Sequence, residues 1–189
     1  MPLGSRFNLG PFDVELVSVS HSIPESNALI IRTKYGNVLH TGDWKLDPTP
    51  IIGPPTDVAR LKAFGEEGCL ALIGDSTNAV RDGRSPSESD VGKSLAELIK
   101  GAKGRVAVTT FASNVARMRA VAEAAAEAGR EVVVVGRAMD RVSQVARECG
   151  YLEGINDFRS TEFYGHLPHD KVVALCTGCL LYTSDAADE

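Results

Sequence analysis

The sequence lacks any long run of apolar residues, and this absence excludes a helix that spans a membrane. Such a helix needs about 20 consecutive, mainly apolar residues, and no stretch of the 189-residue chain approaches that length. The chain also lacks a basic segment followed by an apolar one at its start, so nothing indicates secretion. With 43% hydrophobic and 24% charged residues, it is predicted to be a globular, cytoplasmic protein of one or two domains.

The chain also lacks an excess of positive charge. The formal net charge is −5, which does not by itself favour binding to nucleic acid. Residues 105–147 are an exception, because they carry seven arginines against four acidic residues. Solvated helix faces explain such a bias more often than a binding surface does, so the arginines alone predict little.

Only four cysteines are present. Cys69, Cys149 and Cys176 lie in apolar or strand-like surroundings, which is typical of small buried thiols. Cys176 and Cys179 have the spacing of a zinc or redox pair, but a structural zinc site needs four ligands and no second pair accompanies them. The sequence therefore does not favour a structural zinc site here.

The first part of the chain is rich in predicted antiparallel strands. A hairpin signal at 34–37 joins two of them, because Gly and Asn there tolerate the φ values of a tight turn. Thr56 is predicted to cap a short helix at 57–64. The predicted strands are 14–20, 28–33 and 38–41.

The second part alternates strands with helices, which predicts a parallel sheet covered by helices. It begins near the apolar run Cys69–Ile73, interpreted as a strand buried on both faces. The remaining strands are predicted at 106–110, 132–135 and 172–176, and the helices at 87–100, from Ser113 or Asn114 to 129, and at 137–149.

Small and polar residues follow the strands of this second part. In an open parallel sheet, ligands bind beyond the carboxyl ends of the strands. Hydroxyls, amides, helix N-termini and one arginine at that edge would suit a phosphate, although ordinary caps and turns use the same residues. The candidates for substrate binding at this edge are Asp75, Ser76, Thr77, Asn78, Ser113, Asn114 and Arg137.

A second set of candidates follows strands of the first part. His21 lies just past one predicted strand and Asp43 just past another, so imidazole and carboxylate could meet as metal ligands. A carboxylate can bridge two cations through its separate oxygens, as hydrolases with two metals require. His40 lies within a strand and is interpreted as packing or as support for a ligand, and His166 and His169 are predicted to be exposed.

The same motifs resemble ribonuclease J of the metallo-β-lactamase/β-CASP superfamily. They occur in the family's order in both parts of the chain. The matching stretches are His21-Ser22-Ile23-Pro24-Glu25-Ser26, His40-Thr41-Gly42-Asp43-Trp44-Lys45, Asp75-Ser76-Thr77-Asn78-Ala79, Ser85-Pro86-Ser87-Glu88, Thr110-Phe111-Ala112-Ser113-Asn114, Gly136-Arg137-Ala138-Met139 and Cys176-Thr177-Gly178.

The resemblance implies an α/β protein in which partial metallo-β-lactamase αββα layers (1–74) precede part of a β-CASP parallel domain (75–178). It also implies a ribonuclease that degrades RNA from the 5′ end or internally during RNA processing and decay. Two zinc ions, or manganese or magnesium, serve such an enzyme, which works as a dimer or tetramer. His21 would then be a metal ligand and Asp43 the bridging, catalytic carboxylate.

Several parts of the family pattern are missing from this sequence. The HxHxDH loop that holds most of the metal would precede residue 1, and the β-CASP histidines would follow residue 178. Residues 179–189 resemble translated sequencing adapter and are predicted to be non-native. The alternatives are an RNA-binding or nucleotide-binding α/β module without catalysis and a small-molecule hydrolase, although simple lactamase-like hydrolases lack the inserted parallel-sheet domain.

Overall fold

A computed structural model describes residues 2–178 of the chain. It divides into two compact units, of which the first runs to Ser87 and the second begins at Glu88. The strands are β1 (Arg6–Leu9), β2 (Phe12–Ser18), β3 (Asn27–Thr33), β4 (Gly36–His40), β5 (Ala71–Ile73), β6 (Val106–Thr109), β7 (Glu131–Val135) and β8 (Val172–Cys176); the helices are α1 (Val58–Glu67), α2 (Glu88–Gly101), α3 (Val115–Glu127) and α4 (Arg137–Glu148), with short 3-10 helices at Thr161–Gly165 and His169–Lys171.

The first unit is built on a five-stranded mixed sheet in the order β1-β2-β3-β4-β5. The first four strands pair antiparallel, which was predicted for β2, β3 and β4, and β5 pairs parallel to β4. The sequence did not predict β1. Alternating residues of the sheet are buried against Phe64 of α1. The core residues that share this cluster are Val17, Val19, Ala28, Ile30 and Phe64.

The prediction that Cys69–Ile73 forms a strand buried on both faces is wrong. The strand is shorter, it belongs to the five-stranded sheet, and all three of its residues are exposed. Leu72, for example, retains 66% of its accessible surface. The physical reason is position, because β5 pairs only with β4 and lies at the edge of the sheet.

The second unit confirms the predicted parallel α/β arrangement. Three strands form one parallel sheet in the order β6-β8-β7, so the last strand of the chain lies in the centre. Every residue of β8 is buried, as expected for a central parallel strand with covered faces. Its core combines strand residues with residues from all three helices, including Ile99, Met118, Val121, Met139, Val173 and Leu175.

Two predictions about local structure are wrong. Thr56 does not cap α1, because the side chain of Asp57 accepts the hydrogen bond from the Arg60 N–H. Cys69 and Cys149 are exposed, and only Cys176 is buried as predicted. Cys69 lies between the end of α1 and the start of β5, and Cys149 follows the end of α4, so neither side chain packs in the core.

The predictions for Cys179 and the tail at 179–189 lie outside the described residues. Among residues 2–178, no helix has the length and apolar character needed to cross a bilayer.

An ion-pair cluster on the first unit predicts how its stability depends on pH. Hydrogen bonding to Arg60, supported by Arg32, lowers the pKa of Glu15 to about 2, from an ordinary value of 4.5. Because the folded pKa is the lower one, the cluster stabilises the fold above pH 4.5, and this contribution is lost as pH falls towards 2.

We therefore expect Glu15→Gln to weaken the first unit by about 1–3 kcal/mol at neutral pH and to flatten its acid dependence. Urea unfolding across this pH range measures both effects. Glu66→Gln is the control, since Glu66 is an exposed neighbour on α1. Equal acid dependence in wild type and Glu15→Gln would show that the cluster does not contribute.

Candidate metal and phosphate sites

Three predicted site residues lie beyond the same edge of the five-stranded sheet. Strands β2 and β4 are each antiparallel to β3, and β5 is parallel to β4, so β2, β4 and β5 run in one direction. Their carboxyl ends therefore share one edge. His21 follows the first of these strands, Asp43 the second and Asp75 the third.

An antiparallel bridge between Ser20 and Lys45 brings the loops of His21 and Asp43 together. The Lys45 N–H donates to the Ser20 carbonyl at 2.9 Å. The buried hydroxyl of Thr56 fixes this pairing, because it accepts from the Ser20 N–H at 2.9 Å and donates to the Lys45 carbonyl at 2.8 Å. His21 and Asp43 each lie within two residues of the bridge.

The loop that carries Asp43 also depends on a glycine. Gly42 has a φ of +59°, and a Cβ at this position would lie 3.4 Å from the Asn27 carbonyl oxygen. The Gly42 N–H donates to Nδ1 of His40 at 3.1 Å. His40 is exposed, so the packing interpretation is wrong, and its ring instead supports the loop that carries Asp43.

Thr41 connects the ends of β4 and β5. Its N–H donates to the Ile73 carbonyl at 2.9 Å, and its hydroxyl accepts from the Asp75 N–H at 3.1 Å. The same hydroxyl donates to the Gly42 carbonyl at 2.7 Å. Sequence reasoning assigned Thr56 to a helix cap and gave Thr41 no role of its own, because the hydrogen bonds of both side chains reach residues 34 to 36 positions away in the sequence.

Asp75 is exposed and closes a tight turn with Thr77. One carboxylate oxygen accepts from the Thr77 hydroxyl at 2.6 Å and from the Thr77 N–H at 2.9 Å. These hydrogen bonds, with a smaller contribution from the charge of His21, lower the pKa of Asp75. The turn leaves Ser76 and Asn78 exposed.

The side chains at this edge offer few donors for a metal ion. Nδ1 of His21 lies 3.2 Å from the Ser22 hydroxyl, and Asp43 is exposed. Even a single catalytic zinc normally takes three protein ligands and a water. Among residues 2–178, no group of three or more His, Cys, Asp or Glu side chains is arranged to hold a metal. The described residues therefore do not form a complete zinc site.

The remaining phosphate candidates lie at the carboxyl edge of the second unit's sheet. Ser113 is exposed, whereas Asn114 is buried and its side-chain oxygen caps α3 by accepting from the Arg117 N–H at 2.9 Å. Arg137 opens α4 directly after β7 and is exposed. Because β5 belongs to the other sheet, the predicted phosphate residues are divided between the two units.

Most arginines of the basic stretch are engaged in holding the second unit together. Arg130 donates to the carbonyls of Ala102 and Gly104, and Arg147 donates to those of Ile155 and Asn156. Arg117 pairs with Glu88, Arg119 pairs with Glu123, and the Arg105 guanidinium lies 4.8 Å from the centroid of the Tyr164 ring. The side chains of Arg137 and Arg141 are exposed and make no hydrogen bond or ion pair within residues 2–178.

A cavity of about 710 Å3 lies elsewhere on the second unit. The C-terminal half of α3, the start of β7 and residues 154–159 line it. None of the predicted site residues contributes to its wall, so this cavity and the candidate residues are separate features.

Comparison with known proteins supports a common origin along nearly the whole chain. A family model described as "Ribonuclease J, beta-CASP domain" matches residues 103–182. The chain is 57% identical over 175 residues to ribonuclease J of Sinorhizobium meliloti, which covers 93% of this chain and 31% of that protein. It is 44% identical to ribonuclease J of Thermus thermophilus, covering 88% and 29% of the two chains.

The chain therefore spans about a third of the length of these curated relatives. A crystal structure of a protein of unknown function from Enterococcus faecalis V583 has a similar fold. The TM-score is 0.62 at 19% identity, and the match covers 93% of this chain and 44% of the other.

Proposed function

Because the chain belongs to the ribonuclease J family, we propose that it forms part of a zinc-dependent ribonuclease that hydrolyses phosphodiester bonds of RNA. The observation that carries this proposal is that His21, Asp43 and Asp75 follow strands that end at one edge of the sheet. The sequence similarity to ribonuclease J extends over 93% of the chain. The proposed enzyme is cytoplasmic, acts in RNA processing and decay from the 5′ end or internally, and assembles as a homo-oligomer.

In this proposal, His21 and Asp43 are two ligands of a dinuclear zinc site, for which manganese or magnesium can substitute. The metals would supply charge stabilisation and a nucleophile at neutral pH. The chain's own residues hold the two ligands in register: Thr56 fixes the Ser20–Lys45 bridge, and Thr41 ties the Asp43 loop to Asp75. The further ligands that a dinuclear site needs would come from sequence that the longer relatives possess.

The proposed RNA contacts lie on both units. Ser76, Thr77 and Asn78 follow Asp75 in an exposed turn, where hydroxyls and an amide can donate to phosphate oxygens. Ser113 and Arg137 supply the same chemistry beyond β6 and β7, and Asn114 positions α3 behind them. The proposed boundary between the lactamase-type layers and the β-CASP domain lies after residue 74.

A second candidate function applies to the chain by itself, namely an RNA-binding α/β module without catalysis. The number of metal ligands favours this second function, since the described residues do not group the three protein ligands that a catalytic zinc normally takes.

We therefore expect no RNA hydrolysis from the chain alone. The test loads the purified chain with zinc or manganese and assays a 5′-monophosphorylated RNA, with circular dichroism as the check on folding. We also expect weak zinc binding, because two ligands do not fix a coordination geometry. Turnover that EDTA abolishes, in a preparation free of other nucleases, would show that side chains outside the predicted pair complete the site.

A further inference from the structure

Phe111 is an exposed aromatic residue at the carboxyl edge of the second unit's sheet. Its side chain is 80% exposed. The Thr110 N–H still pairs with the Cys176 carbonyl at 3.0 Å, so Phe111 is the first residue beyond the ladder between β6 and β8. Its carbonyl accepts from the Asn114 N–H at 3.0 Å, which fixes the turn that presents the ring.

Two arginines whose side chains have no ion-pair partner among residues 2–178 lie at the opposite side of the same edge. Arg137 and Arg141 are one helical turn apart on α4, about 6 Å along its axis, and both are exposed. The nearby carboxylate of Asp140 instead accepts from the Gln144 amide at 3.2 Å. The other arginines between residues 105 and 147 contact partners within the unit, so Arg137 and Arg141 are the two of this stretch whose described surroundings leave them available to a ligand.

Strand order sets the distance between the ring and the arginines. In the order β6-β8-β7, Phe111 and Arg137 follow the two outer strands, so their backbones are about 10 Å apart, two strand spacings. Thr177 and Gly178 follow the central strand between them. A nucleotide spans this distance when its base lies over the ring and its phosphate reaches the guanidinium groups.

We propose that this edge holds single-stranded RNA across the sheet, with one base stacked on Phe111 and neighbouring phosphates paired with Arg137 and Arg141. The assignment rests on the proposed function, because it gives contacts to the RNA that a ribonuclease of this family would bind. Aromatic rings accept any base face, and arginines bind the backbone, so the contact is independent of sequence.

The test of the stacking contact is binding of the full chain to a short fluorescein-labelled single-stranded RNA, measured by anisotropy. Phe111→Ala is expected to weaken binding roughly 5- to 100-fold, whereas Phe111→Tyr keeps the ring and most of the affinity. Tyr35→Ala is the matched control, since Tyr35 is also 80% exposed but lies in the hairpin turn of the first unit.

An oligonucleotide of abasic ribose-phosphate units separates stacking from a general structural effect. Wild type and Phe111→Ala are expected to bind this oligonucleotide equally, because it has no base that could stack on the Phe111 ring. If Phe111→Ala weakens binding to the abasic chain as strongly as to RNA, the ring does not stack on a base and the proposal is wrong.

The arginine contact is tested by salt. Each phosphate contact to a single strand contributes about −0.7 to the slope of log K against log salt concentration. Arg137→Ala and Arg141→Ala are each expected to reduce that slope by about this amount, and Lys62→Ala on α1 is expected to leave it unchanged.

The outcomes distinguish this inference from the proposed function. If the chain binds RNA but Phe111→Ala and Arg141→Ala bind as tightly as wild type, this inference alone fails. If the folded wild-type chain binds no single-stranded RNA, its proposed role in holding RNA fails, and this inference fails with it.

Discussion

Asp43→Asn is expected to abolish RNA hydrolysis in a chimera in which this chain replaces the matching 175-residue stretch of Sinorhizobium meliloti ribonuclease J. The carboxylate offers two charged oxygens that can each bind a cation, whereas the carboxamide offers one neutral acceptor. Mutation of a residue that merely supports a metal ligand lowers metal affinity or activity about 10- to 100-fold. Asp43 is proposed to be a bridging ligand itself, so Asp43→Asn should lower activity more than 100-fold.

Metal analysis of the same chimera separates loss of the ligand from loss of the fold. Asp43→Asn should lower the bound metal per chain while the circular dichroism spectrum stays the same, because Asp43 is exposed. Asp170→Asn, at an exposed position of the second unit, is the control. Full metal content and full activity in Asp43→Asn would remove this residue from the site.

Leu175→Ala is expected to destabilise the second unit by about 2–5 kcal/mol. Leu175 lies in the central strand β8 and is fully buried among residues from α3 and the neighbouring strands. Truncation leaves a cavity that these elements cannot close, since strands on both sides hold β8 in place. Unfolding by urea, followed by circular dichroism, gives the free energy directly.

Leu72→Ala is the matched control, because the same substitution is made in a parallel strand of the chain. Leu72 is 66% exposed, so the expected change is within about 0.5 kcal/mol. A large loss of stability at Leu72 together with a small one at Leu175 would contradict the assignment of core and edge.

These two leucines show how much of the fold the sequence predicted. Hydrophobic runs identified β6, β7 and β8 and the helices between them, because each run has the length and flanking residues of its element. The same reasoning treated 69–73 as buried, since an apolar run does not reveal how many neighbours a strand has. Position in the sheet depends on pairing between residues distant in sequence, which no local pattern records.

The candidate site was predictable to a similar degree. His21, Asp43 and Asp75 stood out because each follows a strand, and the structure brings their loops to one edge of the sheet. The hydrogen bonds by which Thr41 and Thr56 hold those loops together were not predictable. The bond from the Ser20 N–H to the Thr56 hydroxyl, for example, joins residues 36 positions apart in the sequence.

The most direct test of the account is the initial rate of RNA hydrolysis by the wild-type chimera, measured beside the intact Sinorhizobium meliloti protein on a 5′-monophosphorylated RNA. Shared ancestry at 57% identity, together with the metal ligands and RNA contacts proposed above, predicts EDTA-sensitive hydrolysis at a comparable rate. A chimera that folds and binds RNA but does not hydrolyse it, beside an active parent protein, would contradict the claim that this chain is a working part of such a ribonuclease.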